Sequence, residues 1–110
     1  MMRLVVIESP YAGDVERNLA YLRAAMRHCL TLGDAPYASH ALYTQPGVLD
    51  DAVPEQRAKG IAAGFEWGDM AHATVVYGDL GVTPGMEQGI ARAHSKGRPV
   101  LFRSLPGWAE

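Results

Sequence analysis

The chain has 110 residues, 48% of them hydrophobic and 20% charged, with a formal net charge of −2. That length allows a single domain over residues 1–110, of ordinary globular composition. The slight negative charge gives no footprint for a nucleic-acid polymer or an anionic membrane surface, whereas one nucleotide needs only a few donors.

Leu4-Val5-Val6-Ile7 is a short apolar, β-branched run, as expected of a strand buried on both faces of a parallel sheet. After the turn Ser9-Pro10-Tyr11-Ala12-Gly13, Asp14 can cap a helix whose stripe is Val15, Leu19, Leu22, Met26 and Cys29, closing at Gly33. Pro36 to His40 predicts a brief second strand leading into a long loop through Tyr43-Thr44-Gln45-Pro46-Gly47. A second helix is expected from about Pro54 to near Trp67, with Ala58, Ile61, Ala62 and Phe65 toward the core. Ala73 to Tyr77 reads as the third strand. Pro84 or Gly85 then opens a third helix with Met86, Ile90 and Ala93 on one face, and Pro99 to Phe102 is the last strand. The fold class is α/β, a Rossmann-like three-layer αβα arrangement with a short parallel sheet and its first strand central.

Cys29 is the only cysteine, so no intrachain disulfide forms; a buried inert thiol and a reducing, cytoplasmic location are expected. The first apolar run is too short for a signal peptide, and no run approaches the ~20 residues of a membrane span. No His or Cys spacing matches a metal site, so no metal and no cofactor are expected. Phe65, Trp67 and Trp108 offer apolar surface for a homodimer or larger homo-oligomer.

In parallel sheets ligands sit beyond the carboxyl ends of the strands, which directs attention to Glu8–Asp14, Ser39–Tyr43 and Tyr77–Glu87. Thr83-Pro84-Gly85 enters a helix and offers free N–H groups to an anion, with Glu87 one turn inside; Thr83 as a plain cap and Glu87 as a dipole partner explain the same pattern. Tyr11 can stack on a base or donate its hydroxyl, and Gly13 allows close approach. Ser9, Asn18, His40 and Asp79 complete the candidate ligand contacts, with Asn18 equally able to orient the loop or lie solvated. Glu8 is either a second carboxylate of the site or a solvated strand end.

Taken together, Ser9-Pro10-Tyr11-Ala12-Gly13-Asp14, Asn18, Ala38-Ser39-His40, Gly64-Phe65-Glu66-Trp67, Gly81 to Gly89 and Gly97-Arg98-Pro99-Val100 resemble the nucleoside 2-deoxyribosyltransferase-like superfamily and its small-domain relatives. The resemblance implies cleavage or transfer at the N-glycosidic bond of a nucleoside or nucleotide. It implies Glu87 as nucleophile, Tyr11 as the residue orienting it, and Thr83 and Gly85 as contacts to sugar or phosphate. One position departs: where the family commonly carries an Asp, this chain has Gly64, with Asp69 nearby but out of register. The competing expectation is a protein that binds or sequesters a nucleotide-type ligand without turnover.

Overall fold

The chain's backbone follows the expected alternation of strand and helix in a computed structural model that describes residues 1–108. Strand β1 (Arg3–Glu8) leads through α1 (Val15–Thr31) to β2 (Asp34–Tyr37). A single turn, α2 (Ser39–Leu42), and the longer α3 (Pro54–Gly68) come before β3 (Ala73–Tyr77), α4 (Pro84–Ser95) and β4 (Val100–Arg103). The four strands form one parallel sheet in the order β2-β1-β3-β4. β1 is therefore internal, as its unbroken apolar run requires.

Side chains of a strand point alternately to opposite faces. Val5 and Ile7 of β1 join Ala73, Val75 and Tyr77 of β3 in the core with Tyr21, Leu22, Ala25 and Cys29 of α1. Val6 and Glu8 face the other way, toward α3. Helix α1 begins where Asp14 accepts a hydrogen bond from the Arg17 N–H at 3.1 Å. It is followed by Gly33 at φ 85°, a conformation that favours glycine. Cys29 is buried, and desolvation foremost raises its thiol pKa, so it behaves as a small core hydrophobe. Beyond it, Arg103 donates to Asp34 at 2.8 Å, and Asp34 also takes Arg3, tying β4 to the start of β2 across the α1 layer.

Two segments differ from the sequence reading. The second strand begins at Asp34 and ends at Tyr37; where the end of that strand and the start of a loop were expected, Ser39–Leu42 turns once as α2, with Thr44 Oγ1 donating to the His40 carbonyl at 2.6 Å. Helix α3 has its expected bounds, but Ala58 and Ala62 are exposed and the inward face is Gly60, Ile61, Gly64, Phe65 and Gly68. The reason is the space left for α2: a Cβ on Gly64 would lie 2.7 Å from Ser39 Cβ and 2.8 Å from its Oγ. Trp67 is 59% exposed beside Tyr37, while Trp108 packs edge-on against Tyr21 with centroids 5.2 Å apart.

Gly64 fixes how closely α3 approaches α2, so Gly64→Ala is expected to destabilise the fold by about 1–3 kcal/mol through overpacking. A urea titration checks this; an unchanged midpoint would show that Ser39 yields without cost.

Candidate functional site

The chain crosses from one side of β1 to the other between β2 and β3, so the crevice at the carboxyl ends of β1 and β3 is the topological switch point of the sheet. A cavity of about 270 Å³ opens there between α3 and the sheet. β1 and its following loop supply Glu8, Ser9 and Tyr11; α2 supplies His40; the start of α4 supplies Thr83, Gly85 and Met86. Tyr37 and Tyr43 add aromatic wall, and the buried Tyr37 hydroxyl has no hydrogen-bond partner among the described residues.

Glu8 is the carboxyl at the centre of this arrangement. Burial pushes its pKa up to about 8, and Arg98 opposes this without cancelling it. Arg98 is itself committed to the scaffold, donating to Thr74 Oγ1 at 2.9 Å and to the Gly68 carbonyl at 2.7 Å. Helix α4 crosses so close that a Cβ on Gly89 would overlap the Glu8 carboxyl. At neutral pH the site therefore holds a protonated carboxylic acid, a donor rather than an anion.

Beside it, Ser9 Oγ and His40 Nε2 are 2.7 Å apart. Desolvation lowers the His40 pKa to about 4, so the imidazole is neutral at pH 7. Arg57 arches over the first turn of α4, near Gly85, and pairs with Asp51 at 3.0 Å.

The sequence-derived candidates divide. Ser9, Tyr11, His40, Thr83 and Gly85 all line the cavity. Glu87 is exposed and lies outside the lining, because the inward positions of α4 are Met86, Gly89 and Ala93 and a helix turns about 100° per residue. At the third helical position, Met86 Sδ accepts from the Thr83 N–H at 3.4 Å while Thr83 Oγ1 accepts from the Met86 N–H at 3.2 Å. Asn18 holds the first loop, donating to the carbonyls of Tyr11 at 2.8 Å and Ala12 at 3.1 Å. Asp79 accepts from the Tyr21 hydroxyl at 2.7 Å and the Leu105 N–H at 2.8 Å, a tie between α1 and the last segment. Gly13 lines a shallower neighbouring depression, and Asp69 is bound by Arg92 at 2.6 Å. An Asp at position 64 has no room, since even a Cβ there meets Ser39. Sequence reasoning placed Glu8 behind Glu87 and passed over Arg57, Arg98 and Tyr37; strand alternation from Val6 was the signal that singles out Glu8.

Among the described residues no group of three or more His, Cys, Asp or Glu side chains could hold a metal ion, and no helix is long and apolar enough to cross a membrane. A family model described as a domain of unknown function (DUF7768) matches residues 3–103. Among curated proteins, none matches the chain. Among solved structures, it is similar to a 2-deoxyribosyltransferase from the psychrotolerant bacterium Bacillus psychrosaccharolyticus. That enzyme is described as a biocatalyst for the synthesis of antiviral and antitumoral nucleosides. The TM-score is 0.72 at 20% identity, covering 94% of this chain and 74% of the other, and this likeness establishes the shared fold.

The buried carboxyl makes stability depend on pH. Glu8 titrates near 4.5 in the unfolded chain and near 8 when folded, so between these values the folded state holds a proton that the unfolded state has released. Its contribution is present below the lower value and is lost as pH rises through the upper one. Glu8→Gln has no proton to lose, so its melting temperature relative to wild type should rise from about pH 5 to about pH 9. Differential scanning calorimetry across that range decides it, and a constant difference would mean that Glu8 titrates normally.

Proposed function

The chain belongs to the DUF7768 family of domains of unknown function, and from its cavity we propose that it binds a nucleoside or nucleotide and cleaves or transfers its N-glycosidic bond, with Glu8 rather than Glu87 as the working carboxyl. The observation that carries this reading is the buried Glu8 carboxyl, its pKa raised by that burial, in a tyrosine-lined cavity at the switch point. The fold is one that a 2-deoxyribosyltransferase also uses.

A carboxyl with its pKa near 8 is suited to give a proton at neutral pH. As the C–N bond breaks, its electron pair leaves with the base, and the Glu8 proton goes to a base nitrogen. The carboxylate so formed faces a sugar that has just become cationic, and the attraction is stronger at a buried carboxylate than in bulk water. An acceptor then adds to the anomeric carbon. With water as acceptor the products are free base and sugar; with a second base the outcome is transfer. Tyr11 and Tyr43 supply flat walls for a base, and Thr83 and Gly85 supply the start of α4 on the opposite side.

One observation favours binding without turnover: the α4 position that faces the cavity is the thioether of Met86, which brings no charge to the reacting centre. The two readings differ in a single assay. Purified protein incubated with nucleosides and nucleoside monophosphates should release free base, measured by chromatography. Glu8→Gln should lower the rate by ~10²–10⁴-fold, the usual worth of a general acid, whereas Glu87→Gln should leave it nearly unchanged. The wild-type rate should fall as pH rises through about 8, where Glu8 loses its proton. Saturable binding with no base released would establish the binding protein instead, and a rate that collapses with Glu87→Gln would return the role to α4.

A further inference from the structure

The reaction needs a proton acceptor as well as a donor, and Glu8 supplies only the donor. We propose that Ser9 and His40 form the accepting half of the site, relaying the proton of the attacking water from Ser9 Oγ to His40 Nε2; this rests on the glycosidic reading of the cavity.

The geometry is specific. Ser9 is 5% exposed, follows Glu8 directly at the end of β1, and its Oγ is 2.7 Å from His40 Nε2. Both residues line the cavity that Glu8 faces. His40 is carried on α2, which is held under α3 by the missing side chain of Gly64. With the proton of His40 on Nδ1, the Ser9 hydroxyl donates to Nε2 and turns its oxygen lone pairs toward an incoming O–H. A hydroxyl hydrogen-bonded to an imidazole is the usual arrangement for activating an oxygen nucleophile.

The protons balance over one cycle. Glu8 gives its proton to the departing base and becomes a carboxylate. Water adds its oxygen to the anomeric carbon, passes one proton to Ser9 Oγ, and Ser9 passes its own to His40. The imidazolium then returns a proton to Glu8, leaving base, sugar and the starting protein. Burial lowers the affinity of His40 for a proton in the empty cavity, but the Glu8 carboxylate appears before His40 must accept. That new negative charge raises the basicity of the imidazole at the moment it is used. The other charged groups lining the cavity are Arg57 and Asp51, paired with each other, and Arg98, bound to Thr74 and Gly68.

The alternative is a purely structural tie between β1 and α2, and kinetics separate the two. With a nucleoside that the wild type turns over, Ser9→Ala and His40→Ala should each lower kcat by ~10²-fold or more with KM nearly unchanged. Added imidazole should restore part of the His40→Ala rate, increasingly as pH rises through the titration of free imidazole, and should do nothing for Ser9→Ala. A structural tie predicts instead a lower melting temperature, a raised KM and no rescue, and that pattern would overturn the proposal. If His40→Ala does not fold, Ser9→Ala decides alone: a kcat within about threefold of wild type defeats the relay. A wild type without turnover defeats the glycosidic reading and the relay together, whereas an active wild type with an indifferent Ser9 defeats only the relay.

Discussion

A helix can cross the open end of β1 only if it brings no side chain, because the Glu8 carboxyl already fills that space. Gly89 meets this condition on α4, and a Cβ there would overlap the carboxyl. The same device recurs on α3, where Gly64 clears Ser39 and a Cβ on Gly68 would sit 3.3 Å from Val6 Cγ2. Glycine in a helix interior costs roughly 0.5–1 kcal/mol relative to alanine, so these positions weaken their helices in return for close approach. The approach creates the cavity walls and buries most of the Glu8 carboxyl.

That burial sets the electrostatics. One cause, desolvation, pushes Glu8 up to about 8 and His40 down to about 4, each toward its neutral form. A buried acid and a buried base that are both uncharged at pH 7 avoid the cost of isolated ions. They also keep one group able to give a proton and another able to take one. The charge of Arg98 draws Glu8 only part of the way back toward its ordinary value, while two of its donors hold Thr74 and Gly68.

The opposite face of the sheet carries a separate polar cluster whose residues do not line the cavity. The Tyr77 hydroxyl lies 2.8 Å from His28 Nδ1, and Arg103 donates to it at 3.4 Å while also holding Asp34. Although burial pushes the other way, Arg103 and Arg3 keep Asp34 below the usual carboxylate range. This cluster joins β2, β3, β4 and α1. It explains how a four-residue edge strand containing Pro36 stays in register, since Pro offers no N–H to the ladder.

The sequence by itself determined the alternation of elements, the parallel sheet with β1 inside, the Asp14 cap and the buried Cys29. All of these follow from local periodicity and from which residues begin and end helices. It also placed Ser9, Tyr11, His40, Thr83 and Gly85 at the strand ends, because the side of the sheet that binds ligands follows from strand direction. The choice between Glu8 and Glu87 was partly legible: Met86, Ile90 and Ala93 already marked the inward face of α4, and Glu87 is off it. Only the tertiary structure decided that Glu8 is enclosed, that Asn18 and Asp79 spend their polar groups on the scaffold, and that Ser39 leaves no room for an acid at position 64. Those outcomes depend on distances between segments far apart in the chain, and no local pattern of residues encodes how closely two helices will approach.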